Sequence, residues 1–227
     1  MSDDPVKLLV TVDVVIFGYG DDGLTMLLIK RGIAPYKGSW ALPGGFVLEH
    51  EDLEEAAMRE LAEEAGVQDV YIEQLFTFGR PGRDPRGRVV TVGYFALTAL
   101  DGHHLRAASD AEEAAWFPIR KLPAVAFDHD DIIQMAIGRL KAKIRYEPIG
   151  FELLPLEFSL SQLQSLYEAV LERQLDKRNF RKKILDMGIL RKLDKKEVGV
   201  PNRPSWLYSF HRRKYEQLKK HGFYFEI

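Results

Sequence analysis

The sequence predicts an α/β domain followed by a smaller helical domain that carries a β wing. Three observations lead there. Strand-like composition from Lys7 to Arg31, rich in β-branched and aromatic residues, gives way to helical periodicity from Asp52 onward. A second pair of helix-like segments begins only after "YEPIGFELLPLEFS", where Pro148, Gly150 and Pro155 interrupt the preceding run. The charge also changes sign along the chain. Residues 1–172 hold 16 Lys+Arg against 28 Asp+Glu, a balance of -12, whereas residues 173–227 hold 16 against 6, a balance of +10. Two electrostatically different bodies are expected, spanning 1–150 and 151–227.

At 227 residues and 46% hydrophobic content, the chain can bury a core in each body. No apolar run approaches the ~20 residues that span a bilayer, and the Asp-rich start has no secretory character. The absence of cysteine excludes disulfides and thiolate chemistry. A cytoplasmic protein without membrane contact is the expectation.

Taking the elements in order, "LLVTVDVVIFGY" is rich in β-branched and aromatic residues, "GDDG" supplies a turn, and "LTMLLIKR" returns as a second strand. "WALPGG" is expected as loop, because a proline followed by two glycines suits neither ladder nor helix. From Asp52, the residues Leu53, Ala56, Ala57, Leu61 and Ala65 form an apolar helix face that stops at Gly66. Asp52 and Glu55 fit a capping box, and acids near the N-terminus oppose the helix dipole. Glu60, Glu63 and Glu64 have no such excuse. Spacings of three and four set them side by side at the negative helix end, where a divalent cation would remove the repulsion. Oxygen donors without clustered His or Cys suit Mg2+, or Mn2+, rather than zinc.

The stretch Gly45, Glu51, Arg59-Glu60-Leu61, Glu63-Glu64 and Gly66-Val67 matches the spacing of the Nudix box at every specified position, and the chain so resembles the Nudix family. The resemblance implies a Nudix α/β/α sandwich with a mixed sheet. It casts Glu60, Glu63 and Glu64 as metal ligands against a diphosphate, Glu51 as their helper or a water-positioning group, and Arg59 as the partner of a carboxylate that fixes the loop. Gly44 and Gly45 permit close backbone approach to phosphates. By analogy with the family, Glu112 or Glu113 is the candidate distal base.

"QLFTFGRPGRDPRGRVVTVGYFALTA" sets two strands around an arginine-rich loop, in which Arg80, Arg83, Arg86 and Arg88 offer donors for phosphates or a ribose-bearing ligand. A solvated hairpin tip explains the same residues without a ligand. The resemblance to Nudix proteins that handle ADP-ribose favours the ligand. Trp116 and Phe117 are expected in the core, "HDDIIQMAIGRLKAKI" as a closing helix, and His129 as a locally bonded histidine.

In the basic part, Leu163, Leu166, Tyr167, Val170 and Leu171 define one helix face, with Ser159 or Ser161 as its cap. A second helix runs from Asp176 to Gly188, with Phe180, Ile184, Leu185 and Met187 inward and Lys177, Arg178, Asn179, Arg181, Lys182 and Lys183 largely exposed. Two short strands around a basic, proline-containing tip complete a winged helix-turn-helix domain. Such modules set the second helix in the major groove of duplex DNA. Lys177, Arg178, Asn179, Arg181 and Lys182 are the groove candidates, since arginine pairs with guanine and asparagine with adenine. Lys195, Lys196 and Arg203 are better suited to phosphates. A merely solubilising basic surface is the plainer alternative.

"LPGGFV", "TFGRPGRDPRGRVVTVGY" and "LDKRNFRKKIL" carry a closer resemblance, to Nudix-related transcriptional regulators of NAD metabolism. It implies an ADP-ribose-responsive, DNA-binding homodimer on a palindromic operator, with ADP-ribose as effector or substrate. Many such regulators have a damaged Nudix box, whereas this chain keeps the full set. The alternative is therefore a magnesium-dependent ADP-ribose pyrophosphatase that yields AMP and ribose 5-phosphate. RNA end processing would call for aromatic platforms, of which the tail offers few.

Overall fold

The structure, a computed structural model, describes residues 7–100, 111–198 and 204–227, with residues 111 and 112 described by their backbone alone. Two compact units emerge, one including Thr25–Thr98, the other including Arg139–Ile227 together with Tyr19–Leu24.

The first unit is a mixed α/β sandwich. β1 (Leu9–Gly20) and β2 (Gly23–Arg31) are the two strands expected around "GDDG". With β3 (Trp40–Ala41), β4 (Gly44–Phe46), β5 (Tyr71–Phe78), β6 (Val89–Ala99) and β7 (Ala111–Pro118) they form a seven-stranded sheet. Its main order is β3-β2-β1-β6-β5, with β4 paired to β1 and β7 to β2. Helices α1 (Leu53–Ala65) and α2 (His129–Lys143) accompany it. Val12, Val14, Ile16, Val92, Tyr94 and Ala96 pack with Ala56, Ala57, Leu61 and Ala65 of α1. The alternate residues Val15, Phe17 and Phe95 are equally buried. Burial of both faces explains why β1 reads as an almost unbroken apolar run.

"WALPGG" is not the loop expected from its glycines. Trp40–Ala41 pairs with β2, and Gly44, Gly45 and Phe46 pair antiparallel with Asp13, Val12 and Thr11. Pro43 does not interrupt this ladder, because its carbonyl accepts from the Val14 N–H at 2.9 Å and no donor is needed from it. The helix that follows meets expectation. Asp52 accepts from the Glu54 and Glu55 N–H groups, Glu55 reciprocates, and Gly66 closes the helix in the left-handed conformation. Trp116 and Phe117 are half-buried, Trp116 against the main core and Phe117 edge-on to Trp40.

The second unit follows a 3-10 turn over Pro148–Leu153. Its elements are β8 (Phe158–Ser159), α3 (Leu160–Leu171), α4 (Lys177–Asp186), β9 (Leu190–Lys196), β10 (Trp206–Phe210) and α5 (Arg212–Lys220). Ser159 is the cap of α3 in a capping box with Gln162, and Asp176 caps α4 by accepting from the Asn179 N–H. Leu163, Leu166, Tyr167 and Val170 are fully buried, and Tyr167 packs on Phe180 of α4. A three-stranded sheet in the order β8-β10-β9 makes the wing. Two features were not anticipated, the strand β8 ahead of α3 and the closing helix α5. Leu185, expected inward, is 43% exposed, because the inward stripe of α4 is only Phe180 and Ile184, one turn apart. Arg203 lies outside the described residues. Among the described residues, no helix is long and apolar enough to cross a membrane.

Candidate functional site

A cavity of about 340 Å³ opens in the first unit. One wall is the C-terminal half of α1, whose Glu60 and Glu64, one turn apart, are 8% and 5% exposed. The strand β4 runs across it. Gly44 donates its N–H to Glu64 Oε2 at 2.9 Å. A Cβ at Gly45 would lie 2.1 Å from Glu60 Oε1, and one at Gly44 would lie 2.2 Å from the Val12 carbonyl oxygen. Only glycine fits at 44, where the obstacle is backbone, and a side chain at 45 would displace the Glu60 carboxylate, so the pair serves to bring backbone and carboxylates together.

Arg59 ties this wall down. Its Nε and Nη2 donate to Glu51 at 2.8 and 2.7 Å, Nη2 also reaches the Phe46 carbonyl at 3.2 Å, and Nη1 donates to Glu60 at 2.7 Å and Glu63 at 3.3 Å. The Arg59 guanidinium and the Leu48 N–H hold Glu51 down at about 2, far below the usual carboxylate range, and Arg59 itself is pushed upward, first by Glu51. Glu51 is absent from the cavity lining, so here it anchors Arg59. Burial pushes the Glu64 carboxyl up to about 8, and burial also raises Glu60 in spite of Arg59.

Glu63 lines the cavity, but its side chain is 51% exposed. Among the described residues no three acidic or histidine side chains are gathered as a ready metal cluster. Glu60 and Glu64 nevertheless give two buried oxygen donors on one wall, each disfavouring the other's charge. That set suits a hard divalent cation whose remaining coordination comes from water and ligand phosphates.

The opposite side joins two of the expected loop arginines, Arg83 and Arg86, to residues that the sequence did not single out, among them Asp13, Asp84, Thr91 and Asp128. Arg83 is 4% exposed in its side chain and forms a fork to Asp128, with Nε to Oδ2 at 2.8 Å and Nη2 to Oδ1 at 2.6 Å. It also donates to Thr91, which bonds Thr11, and it lies 3.7 Å from Asp13. His129 Nδ1 accepts from the Leu42 N–H at 2.9 Å, leaving Nε2 to carry the proton toward Asp13 at 3.5 Å. Burial holds its pKa below the usual histidine range, and the ring is neutral. The His129 ring is thus bonded across the fold, to Leu42 87 residues away and toward Asp13, rather than locally as expected. Arg86 pairs with the buried Asp84 at 2.7 Å and lies 4.7 Å from the Phe46 ring centre and 5.5 Å from that of Phe127. Arg31 approaches the Phe127 ring at 4.9 Å.

Of the expected loop arginines, Arg83 and Arg86 line the cavity and Arg80 and Arg88 do not. Arg80 is 72% exposed, 3.8 Å from Asp131. Glu113 sits on β7 beside Lys30 at 3.8 Å, away from the cavity lining, and the Glu112 side chain lies outside the described part. A lone acid in an apolar strand, Asp13, was the one sequence signal for the missed side of the site.

In the second unit, Lys177, Arg178, Asn179 and Lys182 are exposed on α4. Arg181 is different, being half-buried with Nη2 donating to Ser161 Oγ at 2.8 Å, across to α3. Lys195 pairs with Glu157 at 2.6 Å, and Lys196 lies over the Trp206 ring.

Two family models match the chain, the NUDIX domain over residues 7–136 and the NrtR DNA-binding winged helix domain over residues 150–210. The ADPR responsive transcriptional repressor NtrR of Acinetobacter baylyi is 37% identical over 95% of this chain and 86% of its own. The crystal structure of Shewanella oneidensis NrtR with a 27mer DNA is similar at 35% identity and a TM-score of 0.78, covering 88% of this chain and 93% of that one. The NUDIX domain of the same protein, complexed with ADP ribose, matches at 40% identity and a TM-score of 0.55 over 60% of this chain and 90% of that one.

Two predictions separate architecture from ligand chemistry. Arg83→Ala strands Asp128 and should cost about 3–5 kcal/mol in urea unfolding. Arg86→Ala leaves buried Asp84 the Arg86 backbone N–H and should cost less, about 1–3 kcal/mol; a stability-neutral Arg83→Ala would make that residue ligand-facing instead. The second concerns pH. Glu64 keeps its proton up to about 8 when folded, against an ordinary value of 4.5, so between these values the folded chain binds more protons than the unfolded one. Without metal, its contribution is full below 4.5 and is lost as pH rises toward 8, at up to about 1.4 kcal/mol per pH unit. Glu64→Gln should flatten that decline in denaturant midpoint between pH 5 and 8, and an unchanged slope would contradict the buried acid.

Proposed function

The chain belongs to the Nudix family, as a Nudix domain joined to an NrtR-type winged helix, and from that premise we propose that it is an ADP-ribose-responsive, DNA-binding transcriptional regulator of NAD metabolism. Residues 1–150 form the sensor and residues 151–227 the DNA-binding domain. One observation carries the reading. The chain that holds the carboxylate- and arginine-lined cavity also presents Lys177, Arg178 and Lys182, exposed on the second helix of a winged unit. These three and Asn179 reach into the groove, Lys196 and Arg203 meet phosphates, and Arg181, held by Ser161, sets the angle between the two helices.

In the cavity, Gly44 and Gly45 admit the diphosphate close to the backbone, while Arg86 and Arg31 face it from the other side. Glu60 and Glu64, assisted by Glu63, would hold Mg2+ or Mn2+, which would supply charge neutralisation at the diphosphate and Lewis acidity toward water. Arg59 and Glu51 keep Glu60 in place. A second reading, hydrolysis of ADP-ribose to AMP and ribose 5-phosphate by attack of water on phosphorus, is favoured by the intact set of Glu60, Glu63 and Glu64.

Duplex binding measured with and without ADP-ribose and magnesium, while AMP release is followed, tests both. ADP-ribose should change DNA affinity by roughly 5- to 150-fold, and Glu64→Gln should suppress cleavage strongly. No AMP from folded, magnesium-loaded protein would remove the hydrolase reading, and no duplex affinity at low salt would remove the regulator. We further propose a homodimer paired through its acidic sensor domains on a palindromic operator, since twofold symmetry lets two small modules read two half-sites. Footprinting with mass measurement should find two protected half-sites per dimer, and Arg178→Ala should weaken specific binding by about 1–3 kcal/mol. A monomer on one unrepeated half-site would defeat the dimer.

A further inference from the structure

Trp206 opens β10 with 38% of its surface exposed. So large a ring normally spends its area in a core or an interface. Two lysines lie over it, Lys192 with Nζ 4.1 Å and Lys196 with Nζ 4.7 Å from the ring centre. The strand register makes this possible. Trp206 stands opposite Lys196 and Tyr208 opposite Lys192, so a step of two residues on β10 spans four on β9, with an irregularity between. Irregularities of this kind re-aim side chains.

The three wing lysines are thereby sorted. Lys195 is neutralised by Glu157 at 2.6 Å. Lys192 and Lys196 have no carboxylate within ion-pair range among the described residues. An aromatic face attracts an ammonium group without cancelling its charge. It also restricts two long, rotamer-rich side chains before any partner arrives, which lowers the entropy lost on binding. Ordered, uncompensated cations at this spacing are suited to the sequence-independent part of duplex recognition, the phosphates.

We propose that Lys192, Lys196 and Trp206 form a phosphate clamp on the wing, with the indole as the platform that presents both ammonium groups to duplex backbone oxygens, and that Lys195 is no part of it. The proposal rests on the DNA-binding reading and adds Lys192 and Trp206, which charge alone does not single out. Trp206 is a positioning residue, since its contribution passes through the lysines.

The test uses the full chain and a fluorescein-labelled duplex of mixed sequence, with affinity followed against salt by anisotropy. Lys192→Gln and Lys196→Gln should each reduce the log–log salt slope by about 0.9, the share of one phosphate contact, whereas Lys195→Gln should leave it unchanged. Trp206→Leu should weaken binding roughly five-fold, and Trp206→Phe should recover most of that loss. Thermal melting of each variant monitors the fold, and the lysine variants, changed at exposed sites, report independently of it. A slope lowered by Lys195→Gln but not by the other two overturns the clamp, as does wild-type affinity in Trp206→Leu. Wild-type protein without affinity for this duplex at low salt removes the DNA-binding reading itself, and the clamp with it.

Discussion

Two carboxylates buried one turn apart on a helix repel each other and have lost most of their water, and the architecture around α1 is arranged to hold them there. Glu64 is met by the Gly44 N–H and Glu60 by Arg59. Both partners depend on β4 lying directly against the helix, where glycine at 44 avoids the Val12 backbone and glycine at 45 leaves the Glu60 carboxylate in place. Arg59 then binds Glu51 and the Phe46 carbonyl, so the loop between β4 and α1 is secured by the same guanidinium. The compensation is incomplete. The raised proton affinity of Glu64 and Glu60 measures what remains for a cation to relieve.

The far side of the cavity solves a related problem with direct pairing. Arg83 is enclosed by Asp128, Thr91 and Asp13, and neutral His129 is joined to Leu42 through Nδ1. Every group there contacts a partner from another element, which makes the network a brace between β1, β6 and the start of α2. The second unit uses local chemistry instead. Serine and aspartate caps start α3 and α4 at defined residues, and the aromatic contacts Tyr167–Phe180 and Phe151–Phe210 fill the space behind them.

What was legible in the sequence follows from the range of the interactions concerned. The acidic helix could be read completely, since the Asp52–Glu55 box, the Gly66 stop and the Glu60–Glu64 spacing are all local. The β strand hidden in "WALPGG" was not, because what makes Gly44 and Gly45 extended is the β1 edge some thirty residues earlier in the chain. Arg83 looked like a solvated or ligand-facing arginine for the same reason, its partner Asp128 being 45 residues away. Arg181 meets Ser161 at a separation of 20 residues, which no helical pattern signals. Leu185 failed in the other direction, since a hydrophobic residue near a helix end was assigned inward when the stripe had already turned past it.

The cavity wall also has a balance sheet of its own. Four arginines, Arg31, Arg59, Arg83 and Arg86, face five carboxylates, Asp13, Glu60, Glu63, Glu64 and Asp84. With Glu64 protonated the lining residues alone balance, and with it ionised they are one charge negative, while Glu51 and Asp128 already pair Arg59 and Arg83 from behind the wall. Such a surface has no surplus attraction to offer a dianion, however many arginines it displays. A diphosphate would therefore enter on better terms together with a divalent counterion, which would bring the complex close to neutral. In the proposed reading, metal and metabolite would each raise the other's affinity by one common factor, so that free metal would shift the metabolite level at which this wall fills.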